Sequence, residues 1–558
     1  MSAVEIIHRV PIDSKNILLI GSNLEPLIQG LKQRQPAVRV ACLSPKGMIQ
    51  SWLKGELVFE KNSLDVVVVC DAFSMVESID NLLDQVQLAL NANGLFIAKI
   101  QNLAHWRVLH NLLQGTWRLS EGGVAHTSGL HSISQALTVL KAANLEVIDA
   151  VPLFENSMTE ESKQEIQKLF KITDQINVSH QRLEVEFAAT DWIIRAGPQV
   201  EKSKNNDARR GQLCIAAVAM KKFAGVTEAR VDFPLAALRT LPNVRATWSE
   251  GMLTIPKDYQ PGIIILHRQL MNDANFIAGI EQKVREGWLL VSDIDDDPHH
   301  WKEFIESDFY AFRAVHAVTV SCEELAGMVR QWNPHVQIFH NAIYATPLAR
   351  LKNLGQKNPG LIRIFFGALN RKEDWLVAMP GILKAASYLN GQIEFVVVHD
   401  KEFFDALPSF CKKQYFPTLA QHQYMDTLAS CSIALLPLND NNFNRCKSDI
   451  KLIECAAAGV AVICSSVVYA QDSKHAKFVL FADTAEDWFK TIVELCENAN
   501  RRNENVEQAS LYVQEFRMHS HQVGARYDFY QSLLEKRNEL EGERQMRLKK
   551  LQYKSTSL

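Results

Sequence analysis

The chain has 558 residues, 47% of them hydrophobic and 22% charged, and its 60 Lys and Arg against 63 Asp and Glu leave a formal net charge of -3. That length makes room for about three or four domains, and a charge so balanced excludes a general nucleic-acid binder. No apolar run reaches the roughly 18 residues of a membrane span, and the opening MSAVEIIHRVPIDSKN lacks an apolar signal core, which points to the cytoplasm. The ten cysteines show no CxxC spacing. Cys42, Cys70, Cys214 and Cys464 fall in apolar runs and read as reduced core residues rather than zinc ligands or disulfides.

Residues 1–155 form a first domain. Ile17-Leu-Leu-Ile20, Val38-Arg-Val-Ala41, Leu64 to Cys70 and Gly94 to Ile100 are predicted strands with helical stretches between them, the rhythm of a doubly wound parallel sheet. ILLIGSNLEP sets Gly21 just past a strand, where a Rossmann-type cofactor loop lies. The segment from LDVVVVCDAF to QNLAHW, with the later GLHSISQALTVLKAANLEVID, resembles class I S-adenosylmethionine-dependent methyltransferases over about residues 15–153. Against that family's pattern, the loop Gly21-Ser-Asn-Leu-Glu-Pro26 has one glycine, and Cys42 stands where an acid would hold the cofactor's ribose. Asp71 is kept, but Phe73-Ser-Met-Val-Glu77 lacks a histidine usual there. The resemblance therefore implies a degenerate domain serving as scaffold or docking module, with S-adenosylmethionine binding and methyl transfer as the alternative.

A helical segment and linker are expected over 156–210, with a helix from Glu160 to Ile176 and the polar VEKSKNNDARRG closing it. The next domain, 211–345, restarts with a strand at Gln212 to Ala219. AGVTEARVDFPLAALRTLPNV follows and carries Gly225 and Arg230. Gly262-Ile-Ile-Ile-Leu266 is a strand ending in His267-Arg268-Gln269. Residues just past strand ends line the crevice of an open parallel sheet, so His267 and Arg268 are candidates for function, against a surface or ion-pair role. Trp288 to Ser292 runs into Asp293-Ile-Asp-Asp-Asp297-Pro298-His299-His300. Four carboxylates so close repel unless compensated. They could bind a divalent cation as a DxD motif, orient acceptor hydroxyls or act as base without metal, or cap the helix that follows. Ala317 to Val320 and Gln337 to Phe339 are further strands, the last reaching Asn341.

Residues 346–505 make a third domain. Ile362 to Phe366 is its first strand, and Gly367-Ala-Leu-Asn370-Arg371-Lys372 supplies backbone approach and two cations, as a sugar diphosphate needs; a plain strand–helix turn with solvated charges is the alternative. NRCKSDIKLIECAAAGVAVICSS, from Asn444 to Ser466, then writes a helix start at Lys447-Ser448-Asp449, an apolar stripe through Ile450, Ile453 and Ala457, a C-cap at Gly459 and a buried strand. Free N–H groups and Lys447 there could hold phosphate, and Glu454, one turn from Lys451, could accept from sugar hydroxyls. An ordinary surface helix with Lys451 and Glu454 as a solvated pair is the plain reading. Helices are expected over 506–558, where RQMRLKKLQYK reads as a solvated, frayed end, with peripheral contact to an anionic membrane or a partner as the alternative.

KSDIKLIECAAAGVAVICSS, together with the pattern DIDDDPHHW…AVTVSCEELAGMVRQWNPHVQIFHNAI, resembles retaining family-4-like glycosyltransferases of the two-domain GT-B fold, of the type used in bacterial surface-polysaccharide or protein glycosylation. That family usually carries two glutamates eight positions apart; here the first position is Cys446 and only Glu454 is present. The resemblance implies an α/β chain of three Rossmann-like domains, the last two a GT-B pair. It implies a metal-independent hexosyltransferase with no tightly bound cofactor and a nucleotide-sugar as substrate. The acceptor would be a glycan, a lipid-linked glycan or a protein. Gly367, Arg371, Lys372, Lys447, Ser448 and Glu454 would bind the donor, and Asp293, Asp295, Asp296, His267 and Arg268 would form the catalytic face. The rivals are a bifunctional methyl- and glycosyltransferase and a non-enzymatic scaffold subunit of a glycosylation complex.

Overall fold

The structure, a computed structural model, describes residues 2–44, 46–55, 57–70, 72–73, 76, 78–113, 132–154, 163–169, 185–199, 212–347, 361–368 and 371–556. Asp71, Glu77, the linker 200–211, the connection Lys352 to Gly360, and Asn370 lie outside the described residues. The chain forms two compact units: Met1–Lys32, Pro36–Gly211 and Thr240–Asn243 make the first, and Gln33–Gln35, Gln212–Arg239 and Val244–Leu558 the second. Among the described residues no helix is long and apolar enough to cross a membrane.

The first unit holds a six-stranded sheet of β1 (Asn16–Gly21), β2 (Arg39–Leu43), β3 (Leu64–Cys70), β4 (Leu90–Gln101), β5 (Leu145–Phe154) and β6 (Ala189–Pro198), in the order 2-1-3-4-6-5. Successive side chains of a strand face opposite ways, and here both faces are covered. Leu18, Ile20, Val67 and Val69 enter one core and Ile17, Leu19, Val66 and Val68 the other. This double burial is why the strands read as unbroken apolar runs. The four strands expected to pair in parallel, β1 to β4, do so, and of the two that complete the sheet β6 runs antiparallel to both β4 and β5. It also lies inside the span expected to be helical segment and linker. Trp192 to Ala196 is buried between β4 and β5, while the polar stretch read as the linker, 200–211, lies outside the described residues. Gly21, at φ 145°, is explained by packing: a Cβ there would stand 2.0 Å from the Cys70 carbonyl oxygen. Cys42 lies in β2, partly buried against one of the cores.

The second unit contains two all-parallel sheets. The first comprises β7 (Leu213–Ala219), β8 (Val244–Glu250), β9 (Ile263–His267), β10 (Leu289–Ile294), β11 (Ala317–Val320) and β12 (Val336–Ile338), ordered 8-7-9-10-11-12. The other comprises β13 (Ile362–Gly367), β14 (Ile393–Val398), β15 (Lys412–Phe416), β16 (Ile433–Leu436), β17 (Ala461–Cys464) and β18 (Val479–Phe481), ordered 15-14-13-16-17-18. Both orders reverse direction once, beside β7 and β9 in one sheet and between β13 and β16 in the other. A crevice opens past the strand ends at such a reversal.

The two halves of this unit are stitched together where the chain crosses between them. Ile343 donates its N–H to the Arg517 carbonyl at 2.8 Å, and the His519 N–H returns to the Ile343 carbonyl at 3.0 Å. The helices Val523–Glu535 and Arg537–Thr556 then follow. The expectation of a frayed, solvated C-terminus is corrected here. Arg544 is fully buried, donating from Nε to the Ala314 carbonyl at 2.6 Å and pairing with Glu281, while Arg547 reaches the Val315 carbonyl at 2.7 Å. These arginines satisfy the carbonyls that end a short helix beneath β11, so part of the basic run is consumed internally.

Candidate functional site

Asp293 lies on β10 in register with His267 on β9 and Thr319 on β11. Parallel neighbours at one level point their side chains the same way, so three polar groups meet. Thr319 donates its hydroxyl to Oδ2 at 2.6 Å, and His267 Nδ1 lies 3.0 Å from Oδ1. Arg230 adds a bidentate pair, Nε to Oδ1 at 3.1 Å and Nη2 to Oδ2 at 2.7 Å. Burial pushes the Asp293 carboxyl up, but Arg230 and then His267 outweigh it and hold the group well below the usual carboxylate range. Nε2 of this fully buried histidine has no hydrogen-bond partner among the described residues.

Each of the other acids also has a cation or donor of its own. Arg268 holds φ 52° and directs Nε to Asp295 Oδ1 at 2.6 Å, with Nη2 3.4 Å from Asp296 Oδ2. Its guanidinium carbon sits 5.6 Å over the Trp301 ring. Lys447 reaches Asp296 Oδ1 at 2.5 Å. Asp297 caps the short helix Pro298–His300, accepting the His299 N–H at 2.9 Å. The four carboxylates are thus compensated by protein groups, and one of them is a cap. Among the described residues no cluster of His, Cys, Asp and Glu has the arrangement of a metal site.

At the reversal point of the third sheet, Gly367 ends β13 with no room for a side chain, since a Cβ would come 2.6 Å from the Phe365 ring and 3.0 Å from Tyr424. Arg371 precedes the helix Lys372–Tyr388 and donates from Nη1 to Asp374 Oδ2 at 3.0 Å and to Asn444 Oδ1 at 2.8 Å. Asp374 Oδ1 in turn accepts the Asn439 N–H at 3.0 Å and Asn444 Nδ2 at 2.6 Å. Asp374 was not singled out in the sequence, whereas the loop Asn439 to Asn444 was expected, from the resemblance, to lie beside the donor sugar. A cavity of about 440 Å³ opens beside them, lined by Arg371, Lys372, Asp374, His399, Asp400 and Glu402 among others. Lys372 lies on its rim, 58% exposed and paired with Glu402 at 2.8 Å. His399 holds φ 74°, has no partner for its buried Nδ1 among the described residues, and is kept toward the neutral form by burial and by Lys451.

The helix Ile450–Ala458 follows, and Gly459 closes it at φ 73°, ψ 40°, the left-handed C-cap expected there. Its start differs from the expectation, because no side chain caps it. Ser448 Oγ instead accepts from Asn341 Nδ2 at 2.7 Å, and Asp449 faces Arg517, whose Nη2 lies 2.7 Å from Oδ1. Glu454 is buried rather than solvated. Its Oε1 accepts from Gln421 Nε2 at 3.0 Å, while Oε2 lies 3.5 Å from Lys451 and has no hydrogen-bond donor among the described residues. Lys451 itself donates to Tyr424 Oη at 2.9 Å. Cys446 turns away from this group: it is buried in the apolar cluster of Cys322 and Trp332, and its carbonyl accepts from Cys322 Sγ at 3.3 Å. The stretch 443–448 therefore bears against the second sheet at several points, including the Phe443 ring 4.8 Å from that of His300.

No protein-family model and no curated protein sequence matches the chain. Solved structures that it resembles include WaaG, a glycosyltransferase involved in lipopolysaccharide biosynthesis, at 12% identity and a TM-score of 0.43 over 57% of this chain and 99% of that one. HepE from Anabaena, in complex with UDP-glucose, gives 12% identity and a TM-score of 0.39 over 57% of this chain and 99% of its own. A glycosyltransferase from Rickettsia africae gives 12% and 0.41, covering 58% and 99% respectively.

Proposed function

We propose that the second unit is a GT-B glycosyltransferase, moving a sugar from a nucleotide-sugar donor to a glycan or protein acceptor with retention and without a bound metal. One observation carries this reading: Lys447 and Ser448, at the start of the helix Ile450–Ala458, meet Asp296 and Asn341 of the opposite half within hydrogen-bond distance. A cationic helix start and an acidic strand end from two separate parallel sheets thus share one cleft, as donor and acceptor groups must. Arg371, Lys447, Ser448 and the uncapped N–H groups would hold the diphosphate and stabilise the charge that develops on it as it leaves. Lys372, turned to the rim, would contribute only from a distance.

Glu454 would take the ribose, because its unfilled Oε2 is a buried acceptor awaiting a donor. His267 Nε2, its ring held by Asp293, would hydrogen-bond a hydroxyl of the acceptor or of the transferred sugar, with Arg268, Asp295 and Asp296 shaping that face. The first unit enters the proposal as a scaffold without methyl-transfer chemistry, since Gly21 is accounted for by packing and Cys42 offers no carboxylate to a ribose. The donor site is tested by following release of nucleoside diphosphate from a panel of nucleotide-sugars. Lys447→Ala should lower turnover by at least about a hundredfold, the loss typical of removing one charge-stabilising group, and Glu454→Ala should lower turnover at sub-saturating donor by raising KM. Wild-type turnover in both variants would remove the assignment.

A further inference from the structure

Two of the three side chains assigned above to the donor diphosphate already have partners across the cleft. Lys447 is 15% exposed and ion-paired at 2.5 Å with Asp296, two residues past the end of β10 in the other half. Ser448 accepts from Asn341. Lys447 also lies 4.0 Å over the Phe443 ring, so its stem is fixed and its ammonium has a narrow range of directions. Burial depresses the basicity of that ammonium. Asp296 opposes the effect and the nearby charge of Arg371 adds to it, which shows Arg371 and Lys447 sharing one electrostatic field. Arg371, by contrast, is engaged within its own half by Asp374 and Asn444.

A carboxylate oxygen on an ammonium presents the same charge and the same acceptor as a phosphate oxygen. A diphosphate arriving at the helix start would bring further negative charge to within a few ångströms of Asp296, in a partly buried site where such repulsion is weakly screened. The carboxylate and the phosphate therefore compete for Lys447. We propose that Asp296 is an internal stand-in for the donor's phosphate, pinning Lys447 across the cleft until a nucleoside diphosphate displaces it. The inference rests on the donor reading of this helix start. Binding of the donor then releases a contact between the halves, and re-formation of the pair helps expel the diphosphate product.

The test is calorimetric titration of the full chain with uridine diphosphate and, separately, guanosine diphosphate. Asp296→Asn keeps the shape of the side chain and removes its charge. It should bind whichever nucleotide the wild type binds about tenfold more tightly, a gain equivalent to about 1.4 kcal/mol. The double variant Asp296→Asn, Lys447→Met should show none of that gain over Lys447→Met alone, because the competition acts through Lys447. If Asp296→Asn does not fold, Asp296→Ser gives the same comparison. Wild-type binding with equal or weaker binding by the variant would overturn the stand-in while leaving the donor site intact. Binding of neither nucleotide by any of these proteins would remove the donor reading, and the stand-in with it.

Discussion

Removing the charge of Asp293 would leave Arg230 buried with no carboxylate to face, since both side chains are almost wholly out of solvent. Asp293→Asn should therefore destabilise the chain by about 3–5 kcal/mol, the range for breaking one side of a buried pair. A urea unfolding midpoint unchanged from the wild type would contradict the pairing. The acids, His267 and Arg268 were legible in the sequence because each follows an apolar run that could only be a strand. Their partners were not. Arg230 lies 63 positions before Asp293, and nothing local marks which cation will serve which acid. Cys446 shows the same limit from the other side. As a missing glutamate it looked like a gap in a pocket, yet its side chain belongs to the core of the opposite half. What surrounds Glu454 comes instead from Gln421, Tyr424 and Lys451.

Strands buried on both faces were readable to within a few residues, because continuous apolar runs bounded by turn residues leave little choice. Three were not. β8 carries Arg245, Thr247 and Ser249 on one face, and β15 reads KKQYF; both are sheet edges, where charge is the usual protection against stray pairing. β6 is internal to its sheet, but its antiparallel placement depends on strands 35 and more residues away. The helix Ile450–Ala458 was legible at its end and misread at its start, where long-range partners took the groups expected to cap it. At its end, Gly459 in the left-handed region makes a sharp claim. Gly459→Ala should cost about 1–2 kcal/mol through the penalty on a Cβ in that conformation. A melting temperature equal to the wild type's would mean that the turn relaxes to accommodate it.

The last helix ties the second unit together, and part of that tie is an acid–base contact. Glu541 pairs with His316 at 2.9 Å and with Arg544. Burial raises the Glu541 carboxyl, but the hydrogen bond from His316 and the neighbouring donors and charges outweigh it and bring it down to about 2 from 4.5. A carboxyl depressed in the folded chain adds stability above pH 4.5 and loses it as the pH falls toward about 2. Glu541→Gln should thus be less stable than the wild type at neutral pH, with the gap in urea midpoints closing across that window. A gap independent of pH would show that the contact is steric rather than ionic.

The same helix also bears on how the chain is made. Leu548 packs into the core formed by β9, β10 and β11, and Arg544 seals the carbonyl of Ala314 beside it. The sheet that ends at Ile338 is therefore translated long before the residues that complete its core. At ribosomal rates of about 5–20 residues per second, that interval is on the order of 10–40 s. During it, the seat of Leu548 and the carbonyls of Ala314 and Val315 wait for the groups that cover them in the folded chain.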